Sequence, residues 1–224
     1  MFLKRLSLKN YKSVIFDCDG VLLNSNKLKT NSFFEVTKRF GLRSAQRLVD
    51  YHVKNGGISR NKKFKYFVED ILNKTDDNLI DKLIYNYGAN VKNKLLSCET
   101  IPDLKQVIQK NFQKSNKYIV SGGNQEELRF VFKKRKLDFL FNSGIFGSPD
   151  SKEKILNREI KKKENFFPAL YFGDSKYDYE VAFLYKIDFI FCYEWTEFLE
   201  WKSFCYENKV KYIKNINELV VQSD

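Results

Sequence analysis

The sequence has little cysteine and histidine and no long apolar run, and these shortages exclude several classes of protein. The four cysteines are scattered without a C-x-x-C pair, which disfavours a disulfide framework or a zinc site. They are Cys18, Cys98, Cys192 and Cys205. No apolar stretch approaches the length of a membrane span, and the basic N-terminus MFLKRLSLKN lacks the apolar segment of a secretion signal. We therefore expect a soluble, cytoplasmic protein with reduced thiols and no membrane partner.

Acidic residues are fewer than basic ones, since 28 Asp and Glu against 40 Lys and Arg give a formal net charge of +12. Such a charge raises the hypothesis of a nucleic-acid partner. The basic residues are spread along the chain, however, and the short runs at 133–136 and 161–163 are not interleaved with aromatic residues. We therefore expect no nucleic-acid partner, but a positive field that favours anionic substrates. The sequence leaves the oligomeric state open, and a monomer is compatible with it.

Four short apolar runs, each typical of a strand buried on both faces of a parallel sheet, lie at 14–16, 118–120, 170–172 and 189–191. Helical patterns occur at 102–112, 124–134, 151–163 and 175–185. Pro102 suits a first helical turn, and Asn124 with Glu127 resembles a capping box. We therefore predict an α/β fold with a doubly wound, Rossmann-like parallel sheet, whose ligands bind at the carboxyl ends of the strands.

Residues 24–96 contain no strand-like run and show helical spacing instead. The spacing is carried by Phe64, Phe67, Val68 and Ile71, and again by Ile80, Leu83, Ile84 and Tyr87. A simple crossover between parallel strands needs far fewer residues. We therefore predict an all-helical cap subdomain at 24–96, inserted after the first strand of a core formed by 1–23 and 97–224.

Acidic residues follow two of the predicted strands. Asp17 and Asp19 come directly after the first strand, Asp174 follows the run at 170–172, and Asp178 lies four residues further along. Each pair alone is also typical of an exposed strand end. Together at one edge of a sheet, these carboxylates would repel one another unless a cation lay between them. Hard oxygen ligands favour Mg²⁺, so we predict that all four residues bind it.

Two further elements of the sequence could bind an anion. Ser121 and Gly122 follow the second predicted strand, where a hydroxyl and backbone N–H groups at the start of a helix form an anion-binding cradle. Alone, they would equally be part of a glycine-rich turn. Lys152 and Lys154 begin a predicted helix, and either could face the same site, although most lysines in this chain are expected to be solvated.

The segments FDCDGVLLNS, IVSGG, SKEKIL and YFGDSKYD resemble, in this order, the four motifs of the haloacid dehalogenase-like hydrolase superfamily. The resemblance covers nearly the whole chain. It implies that Asp17 is the nucleophile, which forms an aspartyl phosphate, and that Asp19 is the general acid and base. It also implies that Asp174 holds magnesium with the support of Asp178.

For the transferred phosphoryl group, the resemblance implies binding by Ser121, the backbone at Gly122 and a lysine. Lys152 fits the lysine position because Ile155 and Leu156 follow it at the motif's spacing, and Lys154 remains the alternative.

The predicted cap contains the segment GGISR at 56–60, which is similar to the cap loop of beta-phosphoglucomutases. On that resemblance, Arg60 is the candidate specificity residue, with Lys63 and His52 behind it. Ser59 and Arg60 also fit a helix N-cap and a solvated first turn. His52 is the single histidine of the chain, and a structural role suits it better than a catalytic one.

Three functions are compatible with this pattern. The first is a magnesium-dependent phosphatase acting on a small phosphorylated metabolite, for which a sugar phosphate is one candidate. The second is a phosphomutase of the beta-phosphoglucomutase type, which would use the same residues and return the phosphoryl group to the substrate. The third is a non-catalytic binding module, which the carboxylates at every expected position disfavour.

Overall fold

Six parallel strands form one sheet in residues 8–219, the part of the chain that the computed structural model describes. Their spatial order is β3-β2-β1-β4-β5-β6. The strands are β1 (Ser13–Phe16), β2 (Asn116–Asn124), β3 (Gly144–Ser148), β4 (Ala169–Gly173), β5 (Asp188–Cys192) and β6 (Lys211–Ile213). Each of the four apolar runs predicted as a strand lies in one of them.

The central strand β1 is buried on both faces, which explains its continuous apolar sequence. Val14 and Phe16 belong to one apolar cluster, and Ile15 between them belongs to the other. The neighbouring strand β4 runs parallel to β1, with Phe16 opposite Phe172. The residues that follow β1 and β4 therefore emerge side by side at the same edge of the sheet.

Helices cover both faces of the sheet, as the alternating sequence pattern predicts. Side chains of α5 (Leu104–Asn111) and α6 (Gln125–Lys134) pack in the cluster of Phe16. Those of α7 (Lys152–Lys162) and α8 (Lys176–Leu184) pack in the cluster of Ile15. The doubly wound α/β architecture is thus confirmed. Neither α9 (Trp201–Glu207) nor β6 was predicted.

The segment between β1 and α5 is helical, as predicted. It contains α1 (Asn26–Thr37), α2 (Leu42–Lys54), α3 (Arg60–Tyr66) and α4 (Asp77–Ser97), with a π-helical turn at Phe67–Ile71 after α3. The residues that carried the helical spacing are buried, except for half-buried Ile84. They join the apolar cluster of Phe16, so the helical segment shares a core with one face of the sheet. The division of the chain at 24–96 remains a prediction.

Two local predictions were wrong in detail. Helix α5 begins at Leu104 rather than Pro102, because Asp103 has a φ of 52° and this left-handed conformation cannot belong to the helix. Strand β2 continues beyond Val120 to Asn124, with an irregular register against β3 over this stretch. Asn124 does cap α6, since its side chain accepts the N–H of Glu127 at 2.9 Å.

No helix within residues 8–219 combines the length and hydrophobicity that crossing a membrane requires. The basic segment 1–10 that was considered as a secretion signal lies largely outside the described residues. The same is true of both outer ends of the predicted core, 1–7 and 220–224.

Candidate active site

Three carboxylates meet at the carboxyl edge of the sheet. Asp17 follows β1, Asp174 follows β4, and Asp178 lies in the first turn of α8. One oxygen from each carboxylate lies within 4.8 Å of the other two, and all three residues are buried. We call Asp17, Asp174 and Asp178 the acidic cluster. Such a set of close, hard oxygen donors is one that a divalent cation could bind.

Burial and mutual repulsion act strongly on these carboxylates. Burial raises the pKa of Asp17 to about 7, with Lys152 opposing the change and Asp178 adding to it. The pKa of Asp174 is also raised well above its usual range, first by burial and then by the charge of Asp17. Both carboxyl groups are therefore harder to ionise than an exposed aspartate, and a bound cation would offset that cost.

Lys152 supplies a buried positive charge next to this cluster. Its Nζ lies 3.1 Å from Asp17 Oδ1 and 2.6 Å from Asp178 Oδ1, and the residue is 1% exposed. Burial acts to lower the pKa of Lys152, but Asp17 and Asp178 raise it well above its usual range, so this amine is charged. Lys154 is exposed to solvent. Of the two lysines left open by the sequence, the structure therefore brings Lys152 to the site.

Asp178 is already heavily hydrogen-bonded. Its Oδ1 accepts the Lys152 ammonium and, at 2.9 Å, the Tyr171 hydroxyl. Its Oδ2 accepts the hydroxyl of Ser175 at 2.5 Å. Asp178 thus holds the ammonium of Lys152 in position through a direct hydrogen bond.

Asp19 lies apart from the acidic cluster, although it was predicted as a fourth metal ligand. Its Oδ2 is 2.5 Å from Lys29 Nζ, and its Oδ1 accepts the Ser25 hydroxyl at 2.5 Å. Burial acts to raise the pKa of Asp19, but Lys29 and Ser25 outweigh it and lower that pKa below its usual range. The carboxylate is therefore ionised and engaged by Lys29 and Ser25, and its place in the metal-ligand set remains a prediction.

Of the two residues in the predicted phosphate-binding turn, Gly122 lines the cavity described below and Ser121 is not among its lining residues. The Ser121 hydroxyl is fully buried and accepts the N–H of Gly123 at 3.0 Å. A Cβ on Gly122 would lie 2.1 Å from the Gly57 carbonyl oxygen. Glycine at 122 therefore allows the loop before α3 to pack against this turn.

A cavity of about 350 Å³ lies between the edge of the sheet and helices α1 to α4. Asp17, Asp19 and Asp174 line it from the sheet side. Three buried cations line it from the helical side, and we call Lys29, Arg60 and Lys63 the cap-side cluster. A bound molecule would thus meet acidic groups at one end of the cavity and basic groups at the other.

Arg60, the predicted specificity residue, lines the cavity and also forms an ion pair with a residue of α6. Its guanidinium lies 2.5 Å from Glu127 Oε1 on α6 and 4.8 Å from the ring centroid of Tyr87. Glu127 therefore pairs with Arg60, and this contact joins α3 to α6.

Lys63 and His52 also line the cavity, and they contact each other. The Lys63 Nζ lies 2.6 Å from His52 Nδ1. Burial and the neighbouring Lys63 lower the pKa of His52 well below its usual range, so its ring is neutral. Burial, together with the charge of Lys29, lowers the pKa of Lys63 to about 7.

Sequence reasoning missed several residues at this site. Lys29 was missed because one lysine among many gives no local signal. Asn26 was missed although it follows the first motif directly, and its Nδ2 donates to Asp174 Oδ2 at 2.7 Å and to the Trp195 carbonyl at 2.8 Å. The loop after β5 closes a third side, where Thr196 donates its hydroxyl to the Asp174 carbonyl at 2.6 Å.

Several solved structures share this fold at low sequence identity. A candidate phosphoglycolate phosphatase from Lactobacillus plantarum is 17% identical, with a TM-score of 0.68 over 94% of this chain and 98% of its own. A candidate HAD-hydrolase, YfnB from Bacillus subtilis, bound to magnesium, is 16% identical, with a TM-score of 0.66 over 94% and 97%. A candidate beta-phosphoglucomutase from Bacteroides vulgatus is 17% identical, with a TM-score of 0.62 over 82% and 76%.

The comparison with curated proteins found no match. Among protein families, the sequence model described as haloacid dehalogenase-like hydrolase matches residues 14–192. The match begins in β1, ends with β5 and includes all of the acidic cluster and Lys152. This chain belongs to the haloacid dehalogenase-like hydrolase family.

Proposed function

We propose that this protein is a magnesium-dependent phosphatase that transfers the phosphoryl group of a small metabolite to Asp17 and then to water. The observation that carries the proposal is the buried acidic cluster with Lys152, at the end of a cavity lined by further cations. Family membership supports a hydrolase. A cytoplasmic location and a metabolite-sized partner remain predictions.

The residues at the sheet edge fit a magnesium ion. Asp17 and Asp174 would hold it, with Asp178 close by, because their oxygens are near one another. Burial and then mutual repulsion raise the pKa of Asp17 and Asp174, and a cation would offset both effects. Magnesium would supply positive charge that offsets the repulsion between a carboxylate nucleophile and an anionic phosphate. Magnesium is also the ion bound in the Bacillus subtilis structure.

The contacts of Asp17 support its role as the nucleophile. Its Oδ1 accepts the Cys18 N–H at 2.7 Å and faces the Lys152 ammonium. Its Oδ2 is therefore the oxygen directed to attack phosphorus, and the attack yields an aspartyl phosphate while the bond to the leaving oxygen breaks. Lys152 would stabilise negative charge on the phosphoryl oxygens during the transfer.

Asp19 would carry the protons. It first protonates the leaving oxygen and then removes a proton from the water that hydrolyses the aspartyl phosphate. The ionised Asp19 held by Lys29 suits the second of these steps. For the first step, Asp19 takes up a proton from solvent before the leaving oxygen departs, and the proton removed from the attacking water then restores this protonated form for the next cycle.

The test is phosphate release from a panel of phosphorylated metabolites in the presence of magnesium. We expect Asp17→Asn to lower the rate at least about a thousandfold, because no covalent intermediate can form. Asp81→Asn changes an exposed aspartate on α4 and serves as the matched control. Full activity of Asp17→Asn on the best substrate would contradict the proposed nucleophile.

A phosphomutase is the second candidate, because the fold resembles that of the Bacteroides vulgatus protein and the proposed chemistry uses the same residues. Product analysis with a sugar 1-phosphate separates the two functions. Free phosphate as the product supports the phosphatase, and an isomeric sugar phosphate supports the mutase.

A further inference from the structure

Asn26, the first residue of α1, contacts one of the proposed magnesium ligands directly. Its Nδ2 donates to Asp174 Oδ2 at 2.7 Å and to the carbonyl of Trp195 at 2.8 Å. Because an amide nitrogen carries two hydrogens, both are used, and the contact with Trp195 fixes the direction of the contact with Asp174. A Cβ at Gly20 would overlap Asp174 Oδ2 and Asn26 Nδ2, so the glycine leaves room for their hydrogen bond.

The loop after β5 holds Asp174 from a second direction. Thr196 donates its hydroxyl to the backbone carbonyl of Asp174 at 2.6 Å. The same loop is joined to α1 a second time, since the hydroxyl of Thr30 donates to the carboxylate of Glu197. The position of Asp174 is thus set by α1 and by this loop, in addition to the strand that it follows.

The kind of partner distinguishes Asp174 from two other carboxylates of the site. Asp178 and Asp19 are each paired with a lysine, whose positive charge neutralises them and competes with a metal ion. Asp174 accepts a hydrogen bond from the neutral amide of Asn26. This amide orients the carboxylate and leaves its negative charge available to a cation.

We propose that Asn26 is a positioning residue for magnesium, which holds the carboxylate of Asp174 in the rotation at which Asp174 and Asp17 can share one ion. The inference rests on the magnesium site of the proposed function. A carboxylate without this hydrogen bond is free to rotate about its Cβ–Cγ bond, and the charge of Asp17 would drive it away. Partners of metal ligands typically change metal affinity by about 10–100-fold.

The test is the magnesium affinity of the metal-free protein, measured by calorimetry. We expect Asn26→Leu, which removes the donor at similar volume, to weaken binding by about 10–100-fold. Asn24→Leu is the matched control, because Asn24 is also half-buried and its Nδ2 donates to a carboxylate outside the acidic cluster, that of Glu99, at 3.0 Å. This control should bind magnesium within about twofold of the wild type.

Two further measurements separate positioning from a general loss of structure. Thr30→Val removes the contact with Glu197 and keeps that between Asn26 and Asp174, so magnesium affinity should stay within about twofold of the wild type. In phosphate release, Asn26→Leu should raise the magnesium concentration for half-maximal rate, whereas kcat at saturating magnesium should stay within about threefold. A damaged fold would instead lower kcat at every magnesium concentration.

Equal magnesium affinity in the wild type and Asn26→Leu would overturn the proposal. An equal loss in Thr30→Val would overturn it as well, because the effect would then come from the loop. If Asn26→Leu does not fold, Asn26→Ala, which only shortens the side chain, is measured with the same expectations. A wild-type protein that bound no magnesium would remove the metal site of the proposed function, and this inference with it. Binding that does not depend on Asn26 would leave the proposed function standing and remove only the role of this residue.

Discussion

The two ends of the cavity differ in how their charges are compensated. The acidic cluster places three carboxylates beside the ammonium of Lys152, whereas two of the three cations in the cap-side cluster already have a carboxylate partner. An anionic substrate therefore meets repulsion at the sheet edge until a cation binds there, but meets attraction on the helical side. This difference gives a substrate one orientation, with its reacting phosphoryl group at the end where a metal ion must first be present.

The sharpest way to break this comparison is to remove the positive charge of Lys152, which lies next to the acidic cluster. We expect Lys152→Met to lower kcat by about 10²–10³, because its ammonium would no longer stabilise the phosphoryl oxygens during transfer. Lys154→Met, an exposed lysine on the same helix, should leave kcat within about twofold of the wild type. Steady-state phosphate release measures both. Comparable losses for the two variants would mean that Lys152 has no special role.

The next largest effect concerns the ion pair between Arg60 on α3 and Glu127 on α6. Arg60 and Glu127 are both largely buried, so removing either partner leaves a charge without compensation. We expect a double-mutant cycle of Arg60→Met and Glu127→Gln to give a coupling of about 2 kcal/mol in the free energy of unfolding, measured by urea denaturation. Lys65→Met with Glu69→Gln provides an exposed control pair and should show little coupling. Additive effects at Arg60 and Glu127 would mean that this pair does not stabilise the contact between α3 and α6.

The sequence was most informative at the sheet edge, and physical reasons explain this. Strands buried on both faces have continuous apolar sequences, so their ends can be read directly, and parallel strands bring those ends to one edge. Asp17, Asp174 and Lys152 were therefore located from local sequence, and they lie together as expected. Their proposed roles follow from that position and remain to be tested.

On the helical side, less of the site could be predicted, because a contact such as that between Arg60 and Glu127 joins distant parts of the chain. The partner of Glu127 is Arg60, 67 residues away, although local sequence assigned Glu127 to a capping box. Lys29 on α1 pairs with Asp19, but one lysine among many gives no local signal of such a contact. The Ser121 hydroxyl accepts the N–H of Gly123, a contact that the sequence pattern did not predict, and its predicted role in phosphate binding remains a prediction. Nothing in the spacing of residues distinguishes these outcomes from the alternatives.

The smallest predicted effect tests the negative charge of the acidic cluster directly. Without metal, the pKa of Asp17 is about 7, so a proton competes with magnesium for this carboxylate below that pH. Magnesium affinity should therefore rise with pH between 6 and 7, by up to about tenfold per pH unit for each ligand proton displaced, with protons released on binding. Calorimetry in buffers of different ionisation enthalpy measures both quantities.

Two variants control that measurement. Asp174→Asn should abolish magnesium binding, since it removes one charged ligand, and exposed Asp81→Asn should not change it. If the affinity were independent of pH between 6 and 8 and no proton were released, Asp17 would already be ionised without metal. Other groups of the protein would then compensate the charge of the acidic cluster, and the two ends of the cavity would not differ in how their charges are compensated. The orientation of the substrate would in that case have to follow from shape rather than from charge.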